Sequence, residues 1–310
     1  MKKLALLLGA LSLVSSVAYA KEVVPAVEEV VVVEEAAPVA AAPALTITNI
    51  GQYIEVDNTS GHNYKKDKAN IGEAVHFAQV VGLAYDDWTF GLMARKAWSM
   101  DTDEGIYGAG HRIELDVWKN YDNFSVGARW RQEETYDRFV ARVKYNYGMF
   151  SGWVDAGYDF GNASESQNDN IYSEGMPVAV TVGPVTLGYY YEYYGYNGMS
   201  SADNGETEEE IRHQVRAMFP LYTGEKLSLS AEYRYQFAND FEVEKNAEGK
   251  EAYYENNRHI GIINANYAVT DSLSVYGYYE YDWNKYDEHD APTKADDYYG
   301  EFCIGWNYAF

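Results

Sequence analysis

From about Leu45 to its last residue the chain sets apolar side chains on every second position, in fourteen stretches separated by polar connectors. A period of two is the mark of strands with one greasy and one polar face. The last stretch shows it most plainly. Tyr298, Gly300, Phe302, Ile304, Trp306, Tyr308 and Phe310 share one face, and Tyr299, Glu301, Cys303, Gly305, Asn307 and Ala309 the other. The connectors read alternately short and long. Six tight turns fall near 86–87, 119–123, 148–150, 183–184, 222–226 and 268–272; seven loops fall near 58–73, 99–107, 132–137, 161–174, 195–209, 238–256 and 284–297. An even strand count, tight turns at one end and long loops at the other suit a barrel closed in a bilayer, where every backbone polar group must be paired internally. The expected fold is all-β: a transmembrane antiparallel β-barrel of fourteen strands over 45–310, with short periplasmic turns and long extracellular loops.

Other classes drop out quickly. A net charge of −24 argues against nucleic acid as a partner, since that needs a basic footprint. Beyond the first 20 residues no run of 18 apolar residues occurs, so helical membrane spans are excluded. Residues 1–20 read as a cleaved secretory signal: Lys2 and Lys3, an apolar stretch from Leu4 to Val17, then Ala18-Tyr19-Ala20. Residues 21–44, rich in Val, Ala, Glu and Pro, read as a periplasmic linker, or as a short helix that enters the pore or pairs with another chain. Cys303 is the only cysteine, so no intramolecular disulfide forms; its inward phase makes it a small packing residue.

The greasy face is banded along its length. Val81, Leu92, Ala128, Val143, Ala156, Leu187, Ala217, Ala231, Ile263 and Val275 occupy mid-strand. Aromatics gather at the ends: Tyr85, Trp88, Phe124, Tyr147, Phe150, Phe219, Tyr267, Tyr308 and Phe310 on the turn side, and Trp98, Trp130, Phe160, Tyr193, Phe237 and Trp283 on the loop side. Two aromatic girdles around an aliphatic belt are what lipid-facing barrels carry. A soluble barrel or sandwich would hide these residues in a core. Lys96 is an outward charge beside Trp98, where its stem can snorkel. Met176, Val178, Val180 and Val182 read as one outward face. The first strand is the weakest, because its apolar set changes face around Asn49-Ile50, as a bulge would produce.

The alternate positions line the interior. Arg95, Arg112, Arg129, Arg131, Arg138, Arg142 and Lys144 come from the third to sixth strands, joined by Arg212, Arg216, Arg234 and Arg258. Asp155, Asp159, Glu192, Glu280, Asp282 and Glu301 come mostly from the opposite stretch of the wall, with Glu114, Asp116 and Glu232 among the arginines. Two arrangements are open: a basic wall facing an acidic one across the lumen, or pairing between neighbouring strands. Acidic residues also crowd two loops and their flanks: Asp203, Glu206, Glu208, Glu209 and Glu210, then Asp240, Glu242, Glu244, Glu248, Glu251 and Glu255. Acidic rings at a mouth concentrate cations.

No catalytic set and no metal centre emerge. The six histidines lack a nucleophile–base–orienter arrangement; His111, His213 and His259 fall on the outward phase near loop ends. Asp101-x-Asp103-x-Gly105 and Asn168-Asp169-Asn170 fall short of a full Ca²⁺ ligand set. No cofactor is expected, and no enzyme activity.

The opening MKKLALLLGALSLVSSVAYAKEVVPA, followed by its Val/Glu/Ala/Pro tract, resembles the N-terminus of the fusobacterial major outer-membrane porin family (FomA-like) over about forty residues. The fourteen-strand plan resembles OmpG-type monomeric porins. The closing WNYAF, with Trp306, Tyr308 and Phe310, is similar to the C-terminal signal read by the barrel-assembly machinery. These resemblances imply a Gram-negative outer-membrane channel in contact with lipid and lipopolysaccharide. The expected function is passive diffusion of small hydrophilic solutes and ions, with a weak cation preference. A selective oligosaccharide or anionic-nutrient channel, built on the arginines and on inward Trp118, Trp153, Tyr190, Tyr276 and Tyr278, is the alternative, and a surface adhesin or structural barrel is another.

Overall fold

The computed structural model describes residues 43–59, 70–101, 105–161, 170–196, 207–243, 256–286 and 298–310. Residues 1–42, over which a signal segment and most of a linker were expected, and the tips of most loops lie outside these residues. The strands are β1 (Thr46–Thr59), β2 (Asn70–Tyr85), β3 (Trp88–Asp101), β4 (Gly105–Asn120), β5 (Phe124–Glu133), β6 (Tyr136–Tyr147) and β7 (Phe150–Gly161). There follow β8 (Asn170–Val182), β9 (Val185–Tyr196), β10 (Thr207–Thr223), β11 (Leu227–Val243), β12 (Asn256–Ala268), β13 (Leu273–Tyr286) and β14 (Tyr298–Ala309). Each strand pairs antiparallel with its sequence neighbours, and β14 pairs with β1, closing the barrel. The fold class expected from the alternation is the one observed.

Closure is made by the chain end. Ile54 lies opposite Ile304 and Ile50 opposite Tyr308. Beyond the ladder, Phe310 N–H donates to Thr48 O at 3.1 Å and Ala309 N–H to Ser272 O at 2.8 Å. The face switch in β1 has the expected cause: register with β2 shifts between Ile47 and Asn49, so Ile47 and Ile50 both point outward while Asn49 is buried. Tight turns hold where they were read. Asp86, Gly148 and Gly183 open theirs with φ of 52°, 62° and 60°, the left-handed conformation that a two-residue hairpin needs.

Three expectations need correction. The connectors near 99–107 and 132–137 are not long: β3 runs to Asp101 and β4 begins at Gly105, and β5 runs to Glu133 and β6 begins at Tyr136. Strands on the loop side also extend past the apolar band, so Glu174 belongs to β8 and Glu210 to β10 rather than to loops or a mouth. Backbone pairing continues there after the apolar alternation has lapsed, and period-two hydrophobicity cannot report that. Met176 does not face outward with Val178 and Val180. Register between β8 and β9 shifts between Gly175 and Val178, around Pro177, which has no N–H to give the ladder. The bulge turns Met176 inward, where it is 4% exposed and packs with Ala179, Tyr190 and Met218 beside Trp153.

Outside, the banding is as the alternation predicts. Leu92, Val143, Leu187, Ile263 and Ile304 are exposed mid-strand, and Tyr85, Trp88, Phe124, Tyr147, Phe150, Tyr267, Tyr308 and Phe310 are exposed toward the turn end. Neighbouring rings touch there: Tyr121 stacks on Phe124 with centroids 4.5 Å apart, and Tyr308 meets Phe310 at 5.1 Å. Toward the loop end Phe139 meets Phe160 edge-on at 5.8 Å. Leu187 is 53% exposed and Ile263 57%, too much for residues of a protein core.

Candidate functional site: the barrel interior

With strands about 4.8 Å apart and tilted about 40°, a ring of fourteen has a backbone radius of about 14 Å. Inward side chains decide how much of that width stays open. In this barrel they lie along the wall, held by partners on adjacent strands.

The densest network spans β4 to β7. Arg129 on β5 faces Asp116 on β4 in register and grips it with two bonds of 3.0 Å, from Nε and from an Nη. Arg142 on β6 takes Asp155 on β7 at 2.9 Å and reaches back over Arg129 to Asp116 at 2.5 Å. Arg131 donates to Glu114 at 2.6 Å, and Arg112 to Glu133 at 2.6 Å. Arg138 clamps Asp159 with bonds of 2.5 and 2.7 Å, both residues nearly fully buried. Such charge-assisted, two-pronged contacts are the strong kind. On the other side of the barrel Arg212 meets Glu210 at 2.5 Å and Glu192 at 3.4 Å. Arg234 meets Glu232 at 2.6 Å and Glu280 at 3.5 Å. Arg258 pairs with Asp282, Arg95 with Glu55 at 3.4 Å, and Arg216 donates to Gln214 at 3.0 Å. Tyr278 donates to Glu301.

The acids and bases are therefore not segregated onto facing walls. Among the described residues every interior ion pair joins strands no more than two apart, and none bridges the barrel. Neighbour pairing is the arrangement found. It neutralises the wall locally and leaves, among the ion pairs of the described residues, no tie across the axis.

Aromatic rings are bound into the same layer. Arg138 lies 3.8 Å over Tyr172 and Arg216 3.5 Å over Tyr190. Trp118 lies under both Arg142, at 4.8 Å, and Lys144, at 4.3 Å, so Lys144 is held by a ring rather than by a carboxylate. The glycines opposite these rings matter. Gly127 faces Trp118 across the β4–β5 ladder, and a Cβ there would sit 2.6 Å from the ring. Gly305 likewise leaves room for Tyr276, whose ring would be 2.6 Å from a Cβ. Bulky side chains lie flat on the wall because the wall is bare beneath them.

All of the acidic and basic interior positions read from the alternation are on the inward face. The ones missed are Glu55, Asp57, His76, Glu133, Glu174 and Glu210. Glu55 and Asp57 sit beyond the β1 bulge, which blurred the phase; Glu133, Glu174 and Glu210 fell in stretches read as loops or loop flank. Cys303 is inward and buried, as its phase required. His213 and His259 are on the outer face, each hydrogen bonded at Nδ1 to a tyrosine hydroxyl, Tyr189 and Tyr233, at 2.7 Å. Lys96 is exposed outside, opposite His111. The outward carboxylate Asp137 accepts from Trp130 Nε1 at 3.2 Å. His62, His289, Asp103, Asp203, Glu206 and Glu244 to Glu255 lie outside the described residues, as does the Val/Glu/Ala/Pro tract that carries the fusobacterial resemblance.

No family model and no curated protein matches the chain. Solved structures do resemble it. OmpT, an outer-membrane protein of Vibrio cholerae, aligns over 88% of this chain and 100% of its own, at 15% identity and a TM-score of 0.45. The outer-membrane channel DcaP of Acinetobacter baumannii covers 88% and 99% at 12% identity and 0.45. An anion-selective porin from Comamonas acidovorans covers 86% and 100% at 11% identity and 0.42. These likenesses are loose, and what this chain does has to be read from its own residues.

Proposed function

We propose that the protein is an outer-membrane porin through which small hydrophilic solutes and ions diffuse passively. One observation carries the reading: a closed barrel with an exposed aliphatic belt outside and a charged interior whose ion pairs stay within two strands of each other. A ring of fourteen strands is wider than the ring of about eight whose interior side chains just fill. Here Arg, Glu and Asp coat the wall, which hydrated solutes tolerate and greasy ones do not. The outward belt is solvated by hydrocarbon, with the aromatic ends at the two interfaces. The turn end, where both termini of the barrel lie, faces the periplasm, and Trp306, Tyr308 and Phe310 serve the assembly machinery as its recognition segment. Lipopolysaccharide meets the loop end.

The net charge of −24 and the acidic loops favour cations at the mouth, an effect screened as salt rises. Purified, folded protein in a planar bilayer is expected to give discrete conductance steps. Its reversal potential in a KCl gradient is expected to show modest cation preference that fades at high salt. Absence of steps would favour an adhesin or structural barrel, and an anion-signed potential would sink the selectivity.

An oligosaccharide track needs ring faces presented to the lumen. Trp118, Tyr172 and Tyr190 are buried, with guanidinium or ammonium groups over their faces, which argues against that second reading. Liposome swelling is accordingly expected to fall smoothly with solute size and to show no saturation with any one sugar.

Gly127→Val tests the layered wall. The added side chain collides with Trp118 and must lift it, with the cations above, toward the axis. Conductance is expected to fall below wild type, and stability by about 1–3 kcal/mol as for other overpacked sites, read from the urea midpoint.

A further inference from the structure

The interior carries one cluster that pairing does not resolve. Glu55 and Asp57 alternate on the inward face of β1, and Glu55 lies directly opposite His76 of β2 in register. His76 Nε2 is 3.4 Å from Asp57 Oδ2 and 4.0 Å from Glu55 Oε1, so one imidazole nitrogen and two carboxylate oxygens converge on a single point of the wall. His76 is only 9% exposed. Two atoms of the cluster, Asp57 Oδ1 and His76 Nδ1, are fully buried with no hydrogen-bond partner among the described residues. Asp116, Asp155 and Asp159 hold arginines; Asp57 has no Arg or Lys at ion-pair distance among the described residues, and its described charged neighbour is His76.

The surroundings add negative charge. Glu301 lies opposite Asp57 across the β14–β1 ladder and opposite Glu280 across β13–β14. Tyr278 donates to both Glu55, at 3.1 Å, and Glu301. Arg95, 3.4 Å from Glu55, is the cation nearest the cluster.

We propose that Glu55, Asp57 and His76 form a binding site for a divalent first-row transition metal, with Zn²⁺ the best match. Four ligands at about 2.0–2.1 Å in a tetrahedron stand about 3.4 Å apart. The separation of His76 Nε2 from Asp57 Oδ2 has that value, while 3.4 Å is long for a hydrogen bond between an imidazole and a carboxylate. Glu55 Oε1, 4.0 Å from His76 Nε2, closes on the metal as Arg95 yields its oxygen. Three protein ligands leave a fourth position to water, the pattern of a site open to exchange with solvent. An imidazole in the set selects against Ca²⁺ and Mg²⁺, which take oxygen ligands. The proposal rests on the channel reading only for the route by which the ion arrives.

The test uses the mature protein folded in detergent and stripped with a chelator. Equilibrium dialysis against Zn²⁺ is expected to show one saturable equivalent, lost or weakened at least tenfold in His76→Gln and, separately, in Asp57→Asn. His213→Gln, on the outer face, is expected to bind as wild type does. Ca²⁺ is expected to compete at least a hundredfold more weakly. X-ray absorption of the Zn²⁺-loaded wild type, which does not depend on any variant folding, should show one imidazole nitrogen among oxygen ligands. Absence of a saturable equivalent, binding unchanged in both His76→Gln and Asp57→Asn, or a spectrum without imidazole would overturn the site. Bilayer conductance of the same preparation separates the two readings. Zn²⁺ binding without conductance keeps the site and removes the porin, and conductance without binding does the reverse.

Discussion

Arg138→Met is expected to destabilise the folded barrel by about 3–5 kcal/mol, the cost of leaving a buried charge without its partner. The guanidinium clamps Asp159 with two short bonds, and both residues are nearly fully buried in the wall between β6 and β7. It also covers the ring of Tyr172 at 3.8 Å, so its loss strips a stacking contact as well. Methionine restores much of the volume and none of the charge. The double variant Arg138→Met with Asp159→Leu is expected to recover most of the loss, because a well-packed apolar pair is seldom worse than the ion pair it replaces. Urea midpoints of the barrel folded in lipid vesicles measure both. If Arg138→Met alone costs less than about 1 kcal/mol, the typical value of an exposed pair, water screens the clamp. The wall is then looser than the geometry says.

Leu187→Arg and Ile263→Arg are each expected to cost about 2–4 kcal/mol, the penalty for arginine at the midplane of a bilayer. Both side chains are more than half exposed on the barrel exterior, so in water an arginine there would be nearly neutral. The same substitution nearer a girdle, at Tyr222 on the turn side, is expected to cost no more than about 1 kcal/mol. A depth-dependent penalty is a property of lipid; a uniform small effect at all three positions would mean that water bathes the belt.

Sequence alone carried the barrel far, and for a physical reason. A strand between lipid and water must alternate, so Phe302, Ile304, Trp306 and Tyr308 declare their face without any help from packing. The bulge at Asn49 was legible for the same reason: it broke the alternation. The bulge at Pro177 was not, because Met176 is apolar and an apolar residue reads as outward whether it faces lipid or the Met218–Tyr190 cluster. Strand ends beyond the apolar band escaped as well. Glu133, Glu174 and Glu210 sit on strands that continue by backbone pairing after hydrophobicity has ended. Charged residues of the interior were found by phase, but their partners were not, since a register of one residue decides whether Arg129 meets Asp116 or a like charge. His76 acquires meaning only from the β1–β2 register, which sets it against Glu55.

The central claim is that lipid lies outside this barrel and water inside. The most direct measurement is cysteine accessibility, with Cys303→Ala as background and single cysteines placed at alternate positions of the folded protein in vesicles. Inward Lys144, Thr186 and Asn266 are predicted to react with a charged, water-borne thiol reagent, and outward Val143, Leu187 and Ile263 to stay silent. Reaction at the outward positions with silence at the inward ones would contradict the account, for that is how a water-soluble barrel with a dry centre would respond.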